Sequence, residues 1–135
     1  MEVYNSYCDY VKDLDADNIH RIYHDTQYGF PVESDDELFC RLILEINQAG
    51  LSWDTVLRKQ NNFRRAYSNF SIEKVAAYGS EDEERLLSDK GIIRNKLKVK
   101  AAIYNANQIL KLKVSNGSFY RKLVVGLPCR CNSRW

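Results

Sequence analysis

One carboxylate, Glu45, is set into an apolar helical run, Leu44-Glu45-Ile46-Asn47-Gln48-Ala49-Gly50-Leu51-Ser52-Trp53, that ends on a tryptophan. Upstream, Tyr23-His24-Asp25-Thr26-Gln27-Tyr28-Gly29-Phe30-Pro31 carries two tyrosines and a histidine and closes on Gly and Pro. Aromatic rings and a lone acid, brought together by a helix end, make a pocket for a flat ligand. Helical spacing puts Glu45 on one stripe with Leu38, Leu42 and Ala49. An acid in that stripe is either paired or faces a cavity that needs its charge.

The elements that must position these residues read as helices throughout. Asn18 to Tyr23 forms one or two helical turns, and 24–34 reads as a loop broken by Gly29 and Pro31. Ser34 with Glu37 is a capping box opening a helix to about Gln48, which Gly50 ends. Ser52 caps 53–59, a short helix covers 61–67, and Ser71 caps 72–77. Ser80 with Glu83 is a second capping box, for a helix reaching Ser88. A tight connection, Asp89 to Asn95, leads into a long helix over 96–114, stopped at Asn116-Gly117. Ser118 caps a last segment over 119–125. Sustained alternation is missing, so the expected fold is all-α, six or seven helices in one domain over 1–121, with a basic tail over 122–135.

Composition bounds the function. With 135 residues, 44% apolar and 28% charged, the chain is globular rather than disordered, and it can bury one core. It has no apolar run of membrane-spanning length and no secretory h-region in residues 1–10, so a cytoplasmic, membrane-free protein is expected. The cysteines at 8, 40, 129 and 131 do not read as a disulfide framework, and Cys40 reads as a core residue. Charge is polarised. Residues 1–89 hold all eighteen acids and nine basic residues, a net −9, whereas 90–135 hold eleven basic residues and no acid. Such a basic end draws a polyanion, most simply nucleic acid, unless the two halves neutralise each other internally.

Where that basic end begins, Gly91-Ile92-Ile93-Arg94 joins two helices. A short Gly-containing hairpin turns backbone N–H groups outward, and the start of the second helix adds partial positive charge, which together can hold a phosphate. Lys90, Arg94, Lys96 and Lys98 surround it, with Lys100 close by. A contact of this kind anchors DNA without reading its sequence. The alternative is an ordinary αα-hairpin whose lysines face water.

Taken in order, Tyr-His-Asp-x-x-Tyr-Gly-x-Pro, Asp-Asp-x-x-Leu-Phe, Leu-Glu-x-x-Gln-Ala-Gly-Leu-Ser-Trp, Lys-Val-Ala-Ala and Gly-Ile-Ile-Arg-x-x-x-Lys-Val resemble the DNA-3-methyladenine glycosylase I family from about Cys8 to Tyr120. The resemblance implies a helix-hairpin-helix glycosylase fold and hydrolytic removal of 3-methyladenine from alkylated double-stranded DNA by a monomer. It makes Glu45 the pocket carboxylate and Tyr23 and Trp53 the base-contacting rings, with Tyr28 where the family usually has Trp. It makes Gly91, Ile92, Ile93, Arg94 and Lys96 the DNA-backbone anchor. The chemistry agrees. A glycosylase flips its base out of the stack and holds it between rings. A 3-methylated adenine nucleotide is cationic, and rings attract it by about 0.5–2 kcal/mol. An ionised Glu45 accepts the stronger, charge-assisted hydrogen bonds. The charged base is a good leaving group, so little general acid is needed, and water attacks the sugar carbon. Asp54 and Asp89 are candidates for a separate catalytic acid, though neither is carried over from the family.

The resemblance also implies a structural zinc, for which Cys8 and His24 match the N-terminal pair of ligands. Four ligands close such a site. This chain has no later histidine, and Cys129-Arg130-Cys131 is the pair available in its place. From Lys122 onward the pattern is lost. His20 matches no family role. The alternatives to an active enzyme are a non-catalytic DNA-binding helical domain and an inactive, shortened glycosylase.

Overall fold

The protein is described by a computed structural model covering residues 3–116. The expected helix over 119–125, its cap Ser118, the tail 122–135, Cys129 and Cys131 lie outside the described residues. Among the described residues the chain is all-helical, as expected, with eight α-helices rather than six or seven.

Helix α1, Tyr7–Lys12, opens the chain with Ser6 as its N-cap, accepting from the Asp9 N–H. It was not expected: it is six residues long and buries only two of them, Tyr7 and Val11. Helix α2 runs Ile19–Thr26 behind the Asn18 cap, so His24, expected in the loop, lies with Tyr23 in its last turn. A turn at Gly29, with φ of 75°, then leads to α3, Asp35–Gln48. Ser34 caps α3 as expected, accepting from the Glu37 N–H. Gly50, with φ of 79°, turns the chain into α4, Trp53–Arg58, which Ser52 caps through the Thr55 N–H.

Helix α5 is Gln60–Ala66. A left-handed turn follows, with φ of 53°, 56° and 57° at Ser68, Asn69 and Phe70. Such residues cost roughly 1–2 kcal/mol each. The turn drops the Phe70 ring parallel to Tyr67, 5.7 Å between centroids at 4°. The hydroxyls of Ser68 and Tyr78 tie it from outside at 2.6 Å. Helix α6 is Ile72–Ala76, and its start is held by Asp36, which accepts the Ile72 N–H at 3.1 Å, and not by Ser71. Helix α7, Ser80–Ser88, begins one residue earlier than the capping-box reading. Gly79 is its N-cap, and Asp82, not Glu83, reaches back to the Gly79 N–H at 3.2 Å.

Helix α8, Lys96–Asn116, packs along α6 and against α3 and α7. Its Val99, Ala102, Ala106 and Ile109 meet Phe39, Ile43, Phe63, Phe70, Ile72 and Leu86 in one core. Cys40 is part of it, as expected, and burial pushes its thiol up to about 12.

Helix α3 corrects the stripe on which Glu45 was placed. Its buried residues are Phe39, Cys40, Ile43, Leu44 and Asn47. At about 100° per residue Glu45 projects opposite that arc, and it is exposed. Ala49 is exposed too, while Leu38 and Leu42 are only partly buried at the core's flank. The two phenylalanine-sized and β-branched positions, Phe39 and Ile43, select the inward face, because more apolar area leaves water on that side.

Candidate functional site

Helices α1, α2 and α4 assemble an aromatic layer beside the core. Tyr7 is its hub. Its ring lies 5.1 Å from Tyr28, 6.4 Å from Tyr23, 6.2 Å from Tyr10, 5.9 Å from His20 and 6.0 Å from His24. Tyr23 meets Trp53 edge-on, 5.4 Å between centroids at 71°, and Tyr28 stacks on His24 at 5.6 Å and 24°. The three rings named from the sequence, Tyr23, Tyr28 and Trp53, are thus brought into one layer. Tyr23 and Trp53 stand in edge contact. A base held between two parallel faces needs them about 7 Å apart, two van der Waals contacts, so a flat ligand entering there parts and turns these rings.

A cavity of about 270 Å³ opens in this layer, lined by Tyr4, Ser6, Tyr7, Tyr10, His20 and Trp53. Of the residues singled out in the sequence only Trp53 lines it. His20, which matched no family role, is in its wall. Its Nδ1 lies 3.0 Å from the Tyr7 hydroxyl and its Nε2 3.3 Å from Asp54 Oδ1. Asp54 in turn accepts from Arg58 Nε at 2.7 Å, and this hydrogen bond holds its carboxyl below the usual carboxylate range. No motif announces this chain. The signals that could have found it are two: α1 carries a Tyr-x-x-Tyr pair on one face, and Asp54 directly follows the capped Trp53.

Glu45 is the main correction. It is exposed, and among the described residues no ion pair or hydrogen bond holds it. It is not an anion walled in by rings. Its turn of α3 is instead fixed by Lys98, whose Nζ donates to the carbonyls of Asn47 at 2.7 Å and Ala49 at 2.6 Å. Lys98 therefore closes the C-terminus of α3, where a cation is favoured, and does not surround the hairpin as expected.

The hairpin between α7 and α8 is also more occupied than its sequence implies. Gly91 N–H donates to Asp89 Oδ1 at 2.8 Å and Ile92 N–H to the Asp89 carbonyl at 3.4 Å. Ile92 is a core residue, 3% exposed. Asn95 caps α8, accepting from Leu97 N–H at 3.0 Å and Lys98 N–H at 3.2 Å. Those four amides are spent internally. Among the described residues Ile93 and Arg94 keep unengaged N–H groups, and the exposed side chains of Lys90, Arg94, Lys96 and Lys100 flank them. Gly91 sits in a tight spot: a Cβ there would lie 3.1 Å from Asn62 and from Asp89 Oδ1, so those side chains would have to give by a few tenths of an ångström.

Cys8 and His24, named as metal ligands, do meet: Sγ lies 3.2 Å from Nε2. Tetrahedral zinc ligands at about 2.3 and 2.0 Å are roughly 3.5 Å apart, so the pair fits half of such a site. Asp25 Oδ1, 2.8 Å from His24 Nδ1, holds the ring in the orientation a ligating histidine takes. Among the described residues no cluster of three or more His, Cys, Asp or Glu completes it.

Residues 13–126 match the family model for methyladenine glycosylase. The chain belongs to the methyladenine glycosylase family. Its relatives include DNA-3-methyladenine glycosylase 1 of Escherichia coli K12, 43% identical over 106 residues, which are 78% of this chain and 57% of that protein. The chain spans a little over half the length of the curated family members it matches. Among solved structures, a 3-methyladenine DNA glycosylase I superposes with a TM-score of 0.77 at 39% identity, over 86% of this chain and 65% of that one. A variant of 3-methyladenine DNA glycosylase I in complex with 3-methyladenine gives 0.76 at 34% identity, over 81% and 59%. The all-helical architecture is thus the methyladenine glycosylase one. Among the described residues no helix is long and apolar enough to cross a membrane.

Proposed function

We propose that the chain is a DNA glycosylase that excises 3-methyladenine from alkylated double-stranded DNA by hydrolysing the N-glycosidic bond, in the cytoplasm and as a monomer. One observation carries the reading: α1, α2 with the turn after it, and α4 gather Tyr7, Tyr23, Tyr28 and Trp53 into one layer beside a cavity of about 270 Å³. Rings of this kind receive a flipped base and favour a cationic one over neutral adenine. Glu45, exposed and unpaired among the described residues, is free to accept hydrogen bonds from the base edge and offset its charge. As the base leaves it carries the bonding electrons and becomes neutral, and water adds to the sugar carbon left positive, giving up a proton to solvent. Ile93 and Arg94 amides with Lys96 grip the backbone without reading sequence. A structural zinc fits the same reading. Cys8 and His24 would hold it together with two further ligands, and it would tie α1 to the end of α2 and supply no chemistry.

The exposure of Glu45 favours a second reading, a helical DNA-binding module without catalysis. Release of free 3-methyladenine from methylated DNA separates the two. The wild type should release it, and Glu45→Gln should lower the rate about tenfold or more, the worth of a charge-assisted bond. Undiminished DNA binding with no release by either protein would establish the second reading instead.

A further inference from the structure

We propose that Arg65 of helix α5 is a second phosphate contact of the DNA-backbone grip, and that Asn62 is the residue that positions it. This deepens the reading of the hairpin as a backbone anchor and rests on it. Helix α5 is joined to the hairpin through one side chain. Asn62 Nδ2 donates to the Gly91 carbonyl at 3.2 Å, and Asn62 Oδ1 accepts from Arg65 Nη2. A guanidinium only donates and a carbonyl only accepts, so these two partners fix which end of the amide faces which. The Arg65 guanidinium is thereby held one amide away from the turn that carries the open Ile93 and Arg94 N–H groups.

Its partners set Arg65 apart. Among the described residues, Arg21, Arg58, Arg64 and Arg85 are each paired with a carboxylate, and Arg41 is tied to the Phe30 carbonyl. Arg65 and Arg94 are exposed, and among the described residues neither meets a carboxylate or a backbone carbonyl. The two arginines left in that state stand at the same hairpin. Helix α5 contains no acid, and neither does the stretch 90–116. Asp89 is the acid in the turn, and its Oδ1 is taken up by the Gly91 N–H. Asn62 uses one of the five N–H donors of Arg65, and four remain for a ligand. A phosphate takes two parallel N–H bonds from a guanidinium. An arginine already held by a neutral amide keeps its full charge and has less freedom to lose on binding. The partner is therefore the sugar–phosphate backbone beside the phosphate at the hairpin, gripped without reading sequence.

The test follows binding of the whole chain to a labelled, undamaged duplex by fluorescence anisotropy, from about 50 to 200 mM salt. Each phosphate contact steepens the fall of affinity with salt, on logarithmic axes, by about one. Arg65→Ala should flatten that slope by about one, so that over this range the wild type loses about threefold more affinity than the variant. The loss should be equal on a second duplex of unrelated sequence. Arg65→Lys keeps the charge and should keep the slope. Lys12→Ala removes a charge that Asp9 already matches and should leave the slope nearly unchanged. Asn62→Ala should weaken binding about threefold with Arg65 present and have no effect in the Arg65→Ala background, the non-additivity of a residue that acts through another. The inference is overturned if Arg65→Ala keeps the wild-type slope, if Lys12→Ala flattens it equally, or if the loss differs between the duplexes. The positioning role falls if Asn62→Ala costs the same with and without Arg65. A slope that falls with Arg94→Ala but not with Arg65→Ala removes this inference alone, and one that falls with neither removes the hairpin anchor as well. A slope that falls with Arg65→Ala, in a wild type that releases no 3-methyladenine from methylated DNA, removes the glycosylase reading alone.

Discussion

The core and the aromatic layer use rings in opposite ways. In the core, Phe39, Phe63, Tyr67 and Phe70 are completely buried, stacked or edge-on against one another. They are held by area and fit alone, and nothing about them suits a ligand. In the layer built by α1, α2 and α4, only Tyr7 is buried. Its neighbours Tyr10, His20, Tyr23, Tyr28 and Trp53 are half-buried and leave a cavity. Their polar tips are tied to other side chains, as in Tyr7 to His20 and His20 to Asp54. A packed ring is fixed by its surroundings on every side. A ring with one face on a cavity is fixed by a hydrogen bond at its tip, which leaves the face available. Binding surface is obtained by giving up packing, and polar ties make good part of the order that is lost.

Breaking the core side should have the largest effect. Phe39→Ala removes a completely buried ring and should lower the unfolding free energy by about 3–5 kcal/mol in a denaturant titration. Breaking the layer by Tyr7→Phe keeps the ring and removes one hydroxyl. It should cost about 1–2 kcal/mol, because the buried face of His20 loses its partner. Lys98→Met removes the closure of α3 and should cost about 1 kcal/mol. That variant should leave the salt dependence of DNA binding unchanged, whereas Arg94→Ala should reduce the salt slope by about one. At the small end, Glu45→Gln should leave stability within about 0.5 kcal/mol, as for any exposed position, while lowering base release. A large loss of stability there would mean the acid is buried after all. The two cysteines of the described residues sharpen the contrast without mutation. Burial pushes the Cys40 thiol up to about 12, so it should resist alkylation at neutral pH until the protein is unfolded, and half-buried Cys8 should react before it.

The helix starts were legible wherever a side chain caps its own helix. Ser34 and Ser52 each accept the expected N–H group. They were misread where the partner comes from elsewhere or from the other side of the start, as with Asp36 on Ile72 and Asp82 on Gly79. The hairpin was located correctly, yet its amides proved partly occupied, because Asp89 and Asn95 can serve either as turn residues or as caps. Tyr23, Tyr28 and Trp53 were found through the motif strings. Tyr7 was missed, His20 was given no role and Asp54 was named only as a candidate catalytic acid, because the three come from three helices and share no spacing.

By itself the sequence determined the helical class, most element boundaries, the family and the basic character of the chain beyond Asp89, since these depend on local preference and on residue identity. Only the tertiary structure decided that Glu45 faces water, that Lys98 closes α3, and that His20 stands in a cavity wall beside Asp54. The reason is physical. Which arc of a helix turns inward, and which polar group meets which, depends on the summed apolar area and on the partners that other helices deliver, and no short stretch of chain contains either.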